Sequence, residues 1–490
     1  MQNLNSVIVV GAGTAGLIAA LMLHEKYPHL NIQIIKSDKI GIVGVGEGST
    51  EHWRAFMEFC GINQRELIYK TKATVKLGIV FKDWNLGDTF VHSLSEIESN
   101  LSGLNRLDYL NVLYLNNKNL SQLEPGDHEL SFKSENISNQ FHFDTFKLNE
   151  FLVELCKNKE INFIIGEVQD VILDHMGWVQ SISTSIGELT ADFFIDCTGF
   201  HRIFSKAMNN AWISKAEYLP MNRAIAFPTS IQENVSLEPY TLSTALSAGW
   251  SWRIPTQERY GNGYVFDNRY ISADQALDEI SKHLKLSNIK PGRDIPFEAG
   301  KIDKIWNKNV LHVGLSGSFA EPLEAQSIGF TIVQMYTFLN YSDLYDFNLE
   351  YQIQRYNNEM DGVFQNVIDY LQAHYFTKRD DSKFWRDKPF KLTDFNRCYL
   401  DAFEAGSIVP QMFDKNVMFR EANWYQVIGG LKLIDKLKLL SNINKNRSSY
   451  NECNVTCLES KLKNNKNTIR ISHREYLKIM NNSFLRDQNG

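Results

Sequence analysis

The sequence is short of cysteine, of long apolar runs and of any basic surplus, and each shortage removes a class of explanation. Its six cysteines in 490 residues are Cys60, Cys156, Cys197, Cys398, Cys453 and Cys457. They are scattered, which suits a reducing compartment and speaks against a disulfide framework. Cys453 and Cys457 form a lone C-x3-C. A zinc site there needs two more ligands, and only His473 lies nearby, so plain thiols and no metal are expected. No stretch approaches the roughly 18–20 apolar residues of a membrane-crossing helix. The start, MQNLNSVIVVGAG, lacks the basic segment and long apolar core of a secretion signal. The expectation is a cytoplasmic protein with no membrane partner. Lys and Arg number 51 against 57 Asp and Glu, a formal net charge of −6. With no dense basic stretch, no nucleic-acid partner is expected.

What remains is an ordinary globular balance, 43% hydrophobic and 22% charged. The length allows roughly two to four domains, or one composite fold. Ser6 to Val10 reads as a buried strand, LIAALMLHEKY as a helix and NIQIIK as a second strand. This βαβ opening predicts a doubly wound α/β sheet. Between strand and helix stands Gly11-Ala12-Gly13-Thr14-Ala15-Gly16, a G-x-G-x-x-G. The first glycine makes the tight turn, the second admits a pyrophosphate, and the third lets helix and strand pack closely. The helix N-terminus then offers free N–H groups to phosphate.

The residue that should hold a ribose hydroxyl, an acid at the end of the second strand, is Lys36, with Asp38 two positions on. Asp38 is the candidate for that role. Gly44-Val45-Gly46-Glu47-Gly48 follows, placing Gly46 and Glu47 where a flavin protein sets backbone against its cofactor. Ile195-Asp196-Cys197-Thr198-Gly199 ends a later strand in a small-residue turn. FKLNEFLVELCKNKEI (146–161) reads as a helix, and NFIIGEV, FFIDCTG and NVLHVG as strands. Val168 and Gly314, at the ends of the first and last of these, complete the cofactor-binding candidates. Residues 220–270 are β-rich, those past 330 mostly helical, and the end from 441 is rich in Asn, Ser and Lys.

Gly249-Trp250-Ser251-Trp252-Arg253-Ile254-Pro255 contains W-x-W-x-I-P, with both tryptophans on one face of a strand. Together with the fingerprint, this resembles the flavin-dependent halogenases of the tryptophan-halogenase-like family. Lys76, Ile79, Phe81 and Trp84 resemble the family's K-x-x-I-x-F-x-x-W, and Glu321-Pro322-Leu323-Glu324 its (D/E)-P-L-E. His142-Phe143-Asp144, Trp424 and Gly429 also fall where the family has similar residues. The resemblance spans about residues 5–435.

It implies an FAD-binding Rossmann-like core of the flavin monooxygenase and halogenase type, a β-rich substrate region and a mostly helical C-terminal part. The expected division is 1–220 with 300–345 as the FAD core, 221–299 as the β-rich segment, 346–440 as a helical cover and 441–490 as a polar tail. It further implies that FADH2 and O2 oxidise halide to hypohalous acid, and that Lys76 delivers the halogen to an electron-rich indole- or phenol-type substrate. An enclosed lysine suits this, because desolvation favours the nucleophilic free amine. Glu324 would stabilise the cationic ring and help remove its proton. Trp250 and Trp252 would line the flavin. In the best-known members P-L-E is followed by S-T-G-I, where backbone amides bind halide. Here Ala325, Gln326, Ser327 and Ile328 follow, so the halide site is carried to Gln326 and Ser327, the latter without a glycine's tolerance of positive φ. A second G-x-G-x-x-G for NADH is missing, which implies a separate flavin reductase as partner. A homo-oligomer is left open by the sequence. The alternative reading is a flavin monooxygenase that hydroxylates an aromatic, and a further one a non-catalytic flavoprotein.

Overall fold

The opening of the chain folds as its pattern dictates, into strand β1 (Ser6–Val10), helix α1 (Thr14–Lys26) and strand β2 (Asn31–Lys36). The structure is a computed structural model. It describes residues 4–42, 47–93, 129–132, 140–232, 235–286, 289, 292–341, 349–404, 417–433, 438 and 469–489. The chain divides into two compact units, and the first comprises Met1–Ala73, Phe143–Ala216 and Glu298–Phe364.

The first unit is built on a six-stranded sheet in the order Trp306–Asn307, Val310–His312, Phe193–Asp196, β1, β2, Asn162–Ile165. All neighbours are parallel except the terminal Trp306–Asn307. Val7 to Val10 are all buried, as in a sheet covered on both faces. The chain leaves β1 towards β2 on one side, while Phe193–Asp196 lies on the other. Strand order reverses there, and open α/β sheets take ligands outside the strand ends at such a point. Helix α1 packs against the helices Thr145–Asn158 and Gln326–Tyr341. Every residue from Leu17 to Leu23 is buried, so α1 is apolar all round rather than on one stripe. Thr145–Asn158 starts where Asp144 caps it, accepting the N–H groups of Phe146 and Lys147 at 3.0 and 3.3 Å.

The second unit comprises Thr74–His142, Glu217–Phe297 and Gln365–Gly490. Its seven-stranded sheet runs Arg293–Pro296, Arg223–Ser230, Arg259–Phe266, Gly249–Pro255, Tyr240–Leu246, Gly78–Lys82, Thr89–Ser93. The helix Ala273–Leu284, opened by a Ser272/Gln275 capping box, covers one face. There Ala276 and Ile280 meet Ile225, Phe227, Leu246, Tyr264 and Phe266.

This division differs from the expected one. Thr74–His142 falls outside the nucleotide-binding core, and its strand Gly78–Lys82 pairs in parallel with Tyr240–Leu246. The β-rich segment 221–299 is therefore part of a larger sheet and is not a module by itself. The end of the chain also departs from a polar tail. Ile469–Ser472 pairs with Glu129–Phe132, and the helix His473–Asn489 follows. Its buried Tyr476, Leu477, Met480 and Phe484 form a helical stripe that the surrounding Asn, Ser and Lys obscure in the composition. Among the described residues, no helix is long and apolar enough to cross a membrane.

Candidate active site

At the end of β1 the glycines divide the work. Gly11 has φ +113°, and a Cβ there would lie 2.4 Å from the carbonyl oxygen of Cys197. A Cβ on Gly16 would lie 1.9 Å from the carbonyl oxygen of Gly11. Around Gly13, by contrast, nothing stands within 4 Å of a Cβ position. Packing demands the first and third glycines, and the second opens onto space. Helix α1 begins at Gly13 with no side-chain cap and no acidic residue in its first turn. The N–H groups and positive end of the dipole at Thr14, Ala15 and Gly16 therefore meet no carboxylate of the first turn. Asn149 donates to the Ala12 carbonyl at 2.8 Å. Gly314 donates to Gln334 Oε1 at 2.9 Å, and a Cβ on it would approach that of Ala15 to 2.8 Å. Sequence reading missed Asn149 and Gln334, since both are ordinary helix positions whose partners come from far along the chain.

Asp196 organises the neighbouring turn. Its Oδ2 lies 2.8 Å from His312 Nδ1, and its Oδ1 accepts the Thr198 N–H and hydroxyl at 3.0 and 2.7 Å. At the end of β2, Asp38 is exposed and pairs with Lys36 at 3.6 Å. A second carboxylate, Glu167, is brought alongside by the bond from Gly166 N–H to the Lys36 carbonyl at 2.9 Å. Lys39 and then Ser37 bond to Glu167 and hold its carboxyl below the usual range. Val168 begins the strand Val168–Leu173 and is half-buried. Gly46 lies outside the described residues, as do Cys453 and Cys457, while Glu47 supplies backbone to the short strand Glu47–Gly48.

Glu324, in the first unit, is buried and has φ 65° and ψ 8°. Ala325 follows at φ 53°. Two successive left-handed residues that are not glycine cost about 1–3 kcal/mol each, and such strain gathers at functional sites. The left-handed positions are thus Glu324 and Ala325. Ser327 lies within the helix Gln326–Tyr341, so its lack of a glycine's freedom costs nothing. Gln326 is buried and its Nε2 donates to the Glu321 carbonyl at 3.2 Å.

Lys76, Trp250 and Trp252 belong to the second unit. Lys76 is 1% exposed, just past the strand Thr74–Val75. Its N–H donates to the Gln140 carbonyl at 3.0 Å, and that of Leu77 to the Pro239 carbonyl at 2.7 Å. The Val75 N–H is taken by His473 Nε2 at 3.0 Å. Thr74 Oγ1 donates to the carbonyl of Pro255, the last residue of W-x-W-x-I-P, at 2.6 Å. Its lone pair faces His142 Nδ1 at 3.2 Å, and His142 Nε2 faces Thr241 Oγ1 at 2.9 Å. Burial first, and then the nearby Lys76 charge, pushes the His142 imidazole well below its ordinary value. His142 is a satisfied, neutral structural histidine.

Trp250 and Trp252 lie 6.1 Å apart at 54°. Both are buried, and neither indole N–H has a hydrogen-bond partner. The Trp252 ring covers Gly263, where a Cβ would come within 2.0 Å of it. Phe81 stacks on Phe90 at 4.8 Å and meets Trp84 edge-on at 5.6 Å. Tyr370 stacks on Phe419 at 4.1 Å beside Trp424 at 5.5 Å. These aromatic side chains are packed core. Among the described residues, no group of His, Cys, Asp or Glu could hold a metal.

In the first unit, an open approach at Gly13 and an uncapped helix start fit a bound dinucleotide. Fold and site define an α/β dinucleotide-binding enzyme of flavoprotein type. The family model for tryptophan halogenase matches residues 6–441, and the chain belongs to that family. The tryptophan 6-halogenase ThaL of Streptomyces albogriseolus is 28% identical over 451 residues, 83% of each chain. The tryptophan 7-halogenase RebH of Lentzea aerocolonigenes is 26% identical, over 88% of this chain and 90% of that one. The solved structure of tryptophan 6-halogenase SttH from Streptomyces toxytricini matches with a TM-score of 0.83 at 25% identity, over 97% of this chain and 99% of that one. The chain is a flavin-dependent halogenase by family, FAD is the cofactor this implies, and hydroxylation is the disfavoured alternative.

Proposed function

We propose that this enzyme makes hypohalous acid from halide and oxygen, and that Lys76 passes the halogen to an electron-rich indole- or phenol-type substrate. The observation that carries the reading is the burial of Lys76, 1% exposed on a backbone tied at three consecutive N–H groups. A solvated strand lysine needs neither. Bound in its reduced form, FAD would supply the two electrons that reduce oxygen to the level at which it oxidises halide, with water as the other product.

Gly11, Gly13, Thr14, Ala15, Gly16 and Gly314 would hold the cofactor's phosphates and dinucleotide backbone. Asp38, or Glu167 beside it, would hold its ribose, and Val168, Gly46 and Glu47 would flank it. Trp250 and Trp252 would line it. The Lys76 amine either takes up the halogen or hydrogen-bonds hypohalous acid; both polarise the bond to halogen for attack by the ring. The Glu324 carboxylate balances the cationic ring and accepts its departing proton. Gln326 and Ser327, in the first turn of a helix, offer backbone N–H groups to halide. The absence of a second fingerprint in the sequence supports a separate reductase as the source of FADH2. The relatives' tryptophan substrates support an indole first.

The test supplies purified protein with FAD, a flavin reductase, NADH, oxygen and bromide or iodide, together with a trap for hypohalous acid and a panel of indoles and phenols. Halogenated trap or arene above the reductase-and-flavin control is expected. Peroxide with neither product overturns the reading.

A further inference from the structure

The backbone of the lysine strand is gripped by several distant stretches of chain, and one lies beyond the family-matched region 6–441. The helix His473–Asn489 places its first residue, His473, fully buried beside Thr74–Val75. On its other edge this strand pairs with Phe141–His142, whose register sets Val75 opposite Phe141. Lys76 N–H is used on that side, by Gln140. The Val75 N–H is met instead by a side chain, His473 Nε2 at 3.0 Å. His473 Nδ1 lies 3.3 Å from the Leu237 carbonyl. A carbonyl can only accept, so the proton sits on Nδ1, and the neutral ring serves both partners.

The helix is anchored independently of that ring. Arg474 donates to the carbonyls of Val235 and Gln232 at 2.8 and 3.2 Å. Asn481 donates to Gln257 Oε1 at 3.0 Å. Tyr476 and Leu477 are buried. An imidazole so mounted is a fixed post against which the strand is set.

We infer that His473 is a positioning residue for Lys76. It holds the Val75 N–H, and so sets the direction in which the next side chain leaves the strand. The inference rests on Lys76 being the residue that transfers halogen. It makes the C-terminal segment a working part of the active site.

Three variants test it. His473→Leu removes the acceptor at similar volume. His473→Gln returns an acceptor near the Nε2 position. His473→Asn returns a donor near Nδ1 alone. Each is treated with cyanate, a small electrophile that carbamylates free amines, and labelling of Lys76 relative to exposed Lys82 is followed by mass spectrometry across pH. In His473→Leu and His473→Asn the Lys76 rate and its pH profile should shift, by about tenfold or more in rate, and return in His473→Gln. Brominated indole formed per NADH consumed should fall about tenfold to a hundredfold in the Leu variant, with FAD affinity unchanged. Lys76 labelling in His473→Leu that superimposes on wild type, including none in either, overturns the role. So does a Gln variant that behaves like Leu. If the Leu variant does not fold, the Gln and Asn variants decide by the same criteria. A Lys76→Ala variant that brominates indole as wild type does overturns the underlying reading instead.

Discussion

The two units secure their functional backbone in opposite ways. In the first, the fingerprint loop is shaped largely by neighbours in sequence, with Cys197 and Asn149 closing on it from farther along the chain. Gly16 closes on the carbonyl of Gly11, Gly11 adopts positive φ, and α1 starts at Gly13 without a side-chain cap. In the second, Thr74 to Leu77 are tied to Pro255, His473, Gln140 and Pro239 in turn. No two of those partners are neighbours in the chain. A nucleotide-binding loop is largely a local solution, because the tight turn and the helix dipole come from adjacent residues. A buried amine needs a cage, and a cage is assembled from strands that meet only in the folded sheet.

The largest effect should come from Lys76→Ala. Halogenated product should fall about a hundredfold to ten-thousandfold while flavin oxidation continues. Product forming at the wild-type rate would erase the chemical distinction between the units. Glu324→Gln comes next, slowing halogenation by about a hundredfold with flavin still bound. Loss of FAD in that variant would make Glu324 a structural residue of the first unit. Gly16→Val should cost about 1–3 kcal/mol in urea unfolding and weaken flavin retention, since its Cβ would meet the Gly11 carbonyl oxygen at 1.9 Å. An unchanged midpoint and intact flavin binding would show that the loop is not sterically determined.

The smallest effect concerns pH. His142 titrates below its ordinary 6.5 in the folded protein. Below that pH the unfolded chain takes up a proton that the native state refuses. The contribution of this group to stability is therefore fully present above 6.5 and declines as pH falls towards the folded value. His142→Asn should flatten the decline in denaturation curves between pH 7.5 and 5.5. An identical slope in both proteins would place the pH sensitivity elsewhere.

Much of the first unit was legible in the sequence. The βαβ opening, the glycine spacing, the turn at Asp196 and the helix after Asp144 are local signals, and each stands where periodicity or capping chemistry puts it. Less of the second was. W-x-W-x-I-P and the lysine motif marked residues, yet not that Gly78–Lys82 joins the sheet of Tyr240–Leu246. Glu167 was missed because its approach to β2 depends on parallel pairing of strands far apart in sequence. His473 drew notice only as a spare ligand for a C-x3-C, and its bond to Val75 crosses 398 positions of chain.

The sequence alone determined that this protein has a glycine turn at a helix start, of the kind that takes a dinucleotide, and which halogenase-like motifs it carries. Those properties follow from dihedral freedom, periodicity and dipoles, which act over a few residues. Tertiary structure alone decided that Lys76 is buried, that Glu324 and Ala325 turn left-handed, and that the last helix supplies the acceptor for Val75. Burial, strain and hydrogen-bond partnership over hundreds of residues exist only once the strands have paired and water has been excluded.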